Sequence, residues 1–73
     1  MARLPSLRSR ELIGALRRAG FSKVRQDGSH VVLAHPDGRE VIVPDHSRDL
    51  KRGTVFGILR QAGISQDELR KLL

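Results

Sequence analysis

Two glycine turns set close together constrain this chain more than any other feature. Asp27-Gly28 and His35-Pro36-Asp37-Gly38 bracket the run Val31-Val32-Leu33, and Val41-Ile42-Val43 follows the second turn. Glycine accepts a positive φ without steric cost, so both sites are hairpin signals between β-branched segments. From Phe21 to Val43 the apolar period is two, and three short antiparallel strands are expected near 21–26, 30–35 and 39–43. Pro44 ends the third strand, because it has no N–H to give to a ladder.

Helical periodicity flanks this region on both sides. After Ser9, a good N-cap residue, Leu12, Ile13 and Leu16 fall on one face while Arg10, Arg17 and Arg18 point elsewhere. Gly20 sits where the left-handed residue past a helix end belongs, and Phe21 can close back on Leu16, as a Schellman motif requires. Beyond a polar loop, Asp45 to Asp49, the residues Val55, Ile58, Leu59 and Ala62 mark a second helix closed by Gly63. Ser65-Gln66-Asp67-Glu68 is a capping box, with Ile64 and Leu69 placed as its hydrophobic staple, so a short third helix follows. The order α-β-β-β-α-α defines an α+β sandwich, its three-stranded antiparallel sheet covered by helices on one face.

Length and charge narrow the functions open to such a fold. A chain of 73 residues holds one modest core, since it buries only about 60% of the surface its unfolded form exposes. One domain spanning 1–73 is expected, with no enclosed cofactor. Fourteen Lys and Arg against eight Asp and Glu give a net charge of +6, which favours a polyanionic partner. A membrane reader would carry a basic amphipathic helix with bulky apolar residues opposite its charges. The only two aromatics, Phe21 and Phe56, stand at core positions, which argues against base-stacking platforms and leaves binding to rest on phosphates and shape. Disulfides and zinc ribbons are excluded by the lack of cysteine. Met1-Ala2-Arg3-Leu4-Pro5-Ser6 lacks a signal-length apolar stretch, and no segment reaches the ~20 apolar residues of a membrane span. A cytoplasmic location is expected.

Three histidines carry the candidate chemistry, His being the side chain best suited to proton transfer near neutral pH. His30 follows the turn Gln26-Asp27-Gly28-Ser29 and opens the central strand, beside a glycine that lets a ligand approach. Spacing alone favours a solvated strand residue there over a catalytic one. His35, next to Pro36, shapes the second turn. His46 lies in a loop that the sheet can bring near a helix start, a candidate for a phosphate contact or an auxiliary proton-transfer role. No His pair has metalloprotease spacing and no carboxylate cluster suggests a two-metal nuclease, so a metal-independent mechanism is favoured. For RNA that route is open, because a general base can activate the ribose 2′-hydroxyl against the adjacent phosphate.

Arg48, Lys51 and Arg52 form the most informative basic group. With Asp49 read as N-cap, both Lys51 and Arg52 fall in the first turn of helix two, where the helix dipole disfavours cations; a phosphate bound there would reconcile them. A solvated, charged loop explains the same residues equally well. Arg17, Arg18, Lys23 and Arg25 add charge around the first helix and strand, mostly as a solvated face.

Taken in order, Leu12-Ile13 through Ala19-Gly20-Phe21, Gly28-Ser29-His30, Val41-Ile42-Val43-Pro44-Asp45-His46, Lys51-Arg52-Gly53-Thr54 and Ile58-Leu59-Arg60-Gln61-Ala62-Gly63-Ile64 resemble the HicA toxins over almost the whole chain. That resemblance implies a double-stranded-RNA-binding-like fold and endoribonuclease activity that cuts mRNA and arrests translation. It also implies neutralisation by a HicB antitoxin encoded as a separate chain. The family's active histidine, placed after a Gly-Ser turn at the start of the second strand, carries over to His30, with Gly28 and Ser29 completing the motif. Where the family often has an aromatic or a second histidine next, this chain has Val31.

Two functional classes remain open on these residues. In one, His30 transfers the proton at the scissile ribose while Arg48, Lys51, Arg52 and Lys23 hold the backbone, and an acidic antitoxin surface covers the site. In the other, the same surface grips duplex RNA by shape and phosphate contacts and nothing is cut. A DNA-binding accessory protein fits less well, because no recognition helix presents base-reading side chains.

Overall fold

A computed structural model describes residues 4–73; Met1, Ala2 and Arg3, on which the reading of the leader partly rests, lie outside the described residues. The element order is α1 (Ser9–Arg18), β1 (Ser22–Asp27), β2 (His30–Ala34), β3 (Glu40–Pro44), α2 (Arg52–Ala62) and α3 (Gln66–Leu72). The strands form one antiparallel sheet in the order β1-β2-β3. The α+β class and the order of elements follow the sequence expectation, and the strands lie within about one residue of their expected bounds.

Local chemistry explains each boundary. Gly20, at φ 102°, follows α1, and its N–H and that of Phe21 bond the carbonyls of Arg17 and Leu16, which completes the Schellman motif. Phe21 is thereby drawn into the core instead of starting β1. Gly63, at φ 68°, ends α2, with the N–H of Gly63 and of Ile64 returning to Arg60 and Leu59. Before α3, the Ser65 hydroxyl accepts from the Glu68 N–H and the Glu68 carboxylate accepts from the Ser65 N–H, both at 3.1 Å.

Two expected helix caps are corrected. Ser9 is not the N-cap of α1 but its first residue; Arg8 holds the cap position, its N–H bonded to the Glu11 carboxylate at 3.0 Å. Asp49 is not the N-cap of α2 either, since that place falls to Lys51. Asp49 instead pairs with Arg8, through an isolated antiparallel bridge and a side-chain contact of 3.6 Å, and the Leu50 N–H bonds the Leu7 carbonyl at 2.7 Å. This pairing holds residues 49–50 extended, so the helix starts later.

The core lies between the sheet and the helices. Val31 and Leu33 of β2 and Val41 and Val43 of β3 are buried against α1 and α2, whose Leu12, Leu16, Ile58 and Leu59 all point inward. Full burial of each such side chain is worth roughly 1.5–3 kcal/mol. On the opposite face of the sheet, Ile42 is 47% exposed. β1 differs from its neighbours because every residue in it is exposed. Its positions opposite Val31 and Leu33 are Gln26 and Lys23, and a bulge interrupts the register between Lys23 and Arg25. A polar inner face cannot be packed under a helix, so β1 forms an open rim alongside α1. Among the described residues, no helix is long and apolar enough to cross a membrane.

At the end of the sheet away from His30, Arg39 ties three elements together. Its guanidinium bonds the last carbonyl of α2, at Ala62, lies 5.3 Å from the centroid of the Phe21 ring, and pairs with Asp37 at 2.8 Å. The side-chain bond from Arg39, aided by its backbone N–H, holds the Asp37 carboxyl down to about 2. His35 belongs to this cluster. Its ring meets Phe21 edge-on at 5.1 Å, and its Nδ1 and carbonyl accept from the Asp37 and Gly38 N–H groups at 3.2 and 2.9 Å, so its reading as a turn-shaping residue stands.

Candidate active site

Topology gathers most of the candidate residues at one end of the molecule. The β1–β2 turn, the end of β3, the loop to α2 and the first turns of both long helices all lie there. His30 is the first residue of β2, in register with Asp27 on one side and Pro44 on the other. Its side chain is exposed, and its ring makes no hydrogen bond or ion pair with the described residues. Both ring nitrogens are therefore open to a substrate, as a proton-transferring group requires.

The turn that precedes it is tight. Gly28 has φ 57° and, among the described residues, no non-glycine residue has positive φ, so the positive angle falls only on the first central position, the pattern of a type II′ turn. A Cβ at Gly28 would meet nothing within 4 Å; glycine is needed here for its backbone angle, and the flank of His30 is left open.

A chain of hydrogen bonds locks this turn to the β3–α2 loop. The Asp45 N–H bonds the Ser29 carbonyl. The Gln26 amide donates to the Gly28 carbonyl at 3.1 Å and reaches the Asp45 carboxylate at 3.4 Å. Below them Ser9, only 1% exposed, donates its hydroxyl proton to the Pro44 carbonyl and accepts from the His46 N–H at 3.3 Å. A hydroxyl can do both at once. The sequence reading missed Gln26, Asp45 and the true role of Ser9. Only the short polar side chains beside the turn hinted at them, and such residues serve turns and caps equally well.

The remaining candidates divide into three groups. His46, Arg48 and Lys51 line one surface depression with Asp49, Leu50 and Thr54, the Asp49 carboxylate being paired with Arg8; the His46 Nδ1 accepts from the Arg48 N–H at 3.2 Å, which leaves Nε2 as the ring's outward nitrogen. Lys51 caps α2 without a side-chain hydrogen bond, and no acidic residue stands in its first turn, so the positive dipole end of this helix has no carboxylate within the turn itself; Asp49, two residues earlier, is engaged by Arg8. Arg52, the first residue of α2 next to Lys51, borders a neighbouring depression with Leu4, Leu50 and Phe56. Lys23 stands further along β1 and touches the site only through Gln26, whose side-chain oxygen accepts from the Lys23 Nζ at 2.8 Å.

Fold and site together define a small basic α+β domain that presents one unencumbered histidine at a hairpin tip, hydrogen-bonded through its turn to the loop that carries His46, Arg48 and Lys51. The profile of a family described as the HicA toxin of bacterial toxin–antitoxin matches residues 9–64. The chain belongs to this HicA toxin family. No curated protein matches it significantly.

Proposed function

We propose that this chain is the toxin of a HicA–HicB pair, a metal-independent endoribonuclease that cuts mRNA and so arrests translation, with His30 as its catalytic residue. The observation that carries this reading is the placement of His30, whose ring is exposed and unpaired on a backbone locked by the Ser29–Asp45 and Ser9–Pro44 bonds. A structural histidine would be expected to share its nitrogens with neighbours, as His35 does.

The chemistry follows from those positions. His30 takes the proton of a ribose 2′-hydroxyl, and the oxygen attacks the adjacent phosphorus. The bond to the 5′ oxygen breaks as that oxygen takes up a proton, for which His46 is the candidate donor. The products are a 2′,3′-cyclic phosphate and a 5′-hydroxyl. The Lys51 end of α2, with Arg48 beside it, supplies positive potential for a phosphate, and Gly28 and Ser29 let the strand approach the tip. A HicB-type antitoxin with an acidic surface would silence the toxin by covering this end, and action within the cytoplasm accords with an mRNA target.

Substrate chemistry tests the mechanism. An RNA carrying a single 2′-deoxyribose at the cleaved position should stay intact, while its all-ribose counterpart is cut to cyclic phosphate ends. Cleavage of the deoxy substrate would exclude attack by the 2′ oxygen.

A further inference from the structure

We propose that the cleft between α1 and the rim strand β1 is a second, non-catalytic site that holds the sugar–phosphate backbone of single-stranded RNA flanking the cut. The proposal rests on the ribonuclease reading above and extends it to a surface that the His30 chemistry does not use. Arg10 and Arg17 line the α1 side of the cleft, and Lys23 and Gln26 line the β1 side. A seven-residue spacing spans two helical turns, so Arg10 and Arg17 share a face about 10 Å apart. Both arginines are exposed, and neither side chain makes a hydrogen bond or ion pair among the described residues. Three cations thus meet a single carboxylate, Asp45, which lies at the hairpin end and is already engaged by Gln26.

Gly14 lies between the two arginines and lines the same cleft. Glycine is the least favourable helix-interior residue apart from proline, yet nothing within the protein calls for it. A Cβ there would meet only Arg18 Nη1, at 3.7 Å, an ordinary contact. A backbone pressed against the helix between Arg10 and Arg17 would account for the missing side chain. The cleft also leads to the catalytic end, because Gln26 on its wall bonds the Gly28 carbonyl, and a strand leaving it turns around the hairpin tip to reach His30. Among the described residues, Ile13 and Val31 are the only bulky apolar side chains along it, which gives a polypeptide little to seat its side chains in. A phosphodiester chain needs only spaced cations and a clear floor.

Binding of a labelled single-stranded RNA to His30→Ala protein, with and without Arg10→Ala/Arg17→Ala, tests this across a range of salt, with circular dichroism confirming the fold. Loss of two phosphate contacts should reduce the slope of log affinity against log salt by about 1.4, at roughly 0.7 per contact on a single strand. Gly14→Gln, which improves helix propensity but fills the floor, should weaken RNA binding at least fivefold with the helix retained. Unchanged affinity and slope in both variants would overturn the proposal, whether or not the wild-type protein cleaves RNA. So would intact RNA binding combined with lost binding of polyglutamate, which would assign the cleft to an acidic polypeptide. Absence of cleavage by wild type with these losses still present would instead remove only the ribonuclease reading.

Discussion

Replacing Ser9 by alanine removes one oxygen and leaves two groups without partners, the Pro44 carbonyl and the His46 N–H. The site is 1% exposed, so water cannot readily replace the hydroxyl. A buried polar group stranded in this way costs about 1–3 kcal/mol. Alanine returns a few tenths of that through its better helix propensity, at most about 0.7 kcal/mol. A net loss of about 2 kcal/mol is expected, which in a domain of this size lowers Tm by about 8–16 °C. Thermal unfolding followed by circular dichroism measures it. A simple N-cap serine would show a loss of similar size, so the discriminating readout is amide exchange. Loss of the tether should speed exchange at His46 and, through the Asp45–Ser29 bond, at Asp45, while the first amides of α1 are spared. A shift of less than 2 °C, or faster exchange confined to Glu11 and Leu12, would refute the reasoning.

Other consequences concern backbone and charge. Gly57→Ala should stabilise the fold by about 1 kcal/mol, because this exposed position within α2 has no atom within 4 Å of a new Cβ; urea unfolding will read the gain. Gly20→Ala should cost about 2 kcal/mol or more in the same assay, since φ is +102° and the Cβ would lie 2.8 Å from the His35 ring. Asp37 has a folded-state pKa lowered to about 2 by Arg39, so its contribution is complete above the unfolded carboxylate value, near 4, and is lost as pH falls through 2. Asp37→Asn should therefore flatten the fall in Tm between pH 4 and pH 2 and also lower Tm at neutral pH, as scanning calorimetry across pH would show.

The parts of this fold that sequence revealed are those fixed by a few neighbouring residues. Gly28 and Gly38 mark hairpins because only the local backbone angle matters there. Gly20, Gly63 and the Ser65–Glu68 box mark helix ends for the same reason. Ser9 and Asp49 misled because a short polar side chain before an apolar stripe signals a cap only if nothing distant claims it. Here Pro44 and His46 claim Ser9, and Arg8 claims Asp49. His30, Gly28 and Ser29 were legible as one motif, and the loop at His46 was expected to approach a helix start. That Lys23 stands apart from Arg48 and Lys51, and that α2 starts only at Arg52, was not legible. These features depend on the bulged, open rim of β1 and on the two extra extended residues before α2, neither of which leaves a periodic signal.

The most direct test of the central claim is incubation of purified wild-type and His30→Ala protein with a long single-stranded RNA in EDTA, with the products resolved on a gel. The account predicts cleavage by the wild type and intact, still-bound RNA with the variant. Equal cleavage by both would contradict the role of His30, and intact RNA with both, each retaining binding, would make this chain an RNA-binding module and not a nuclease.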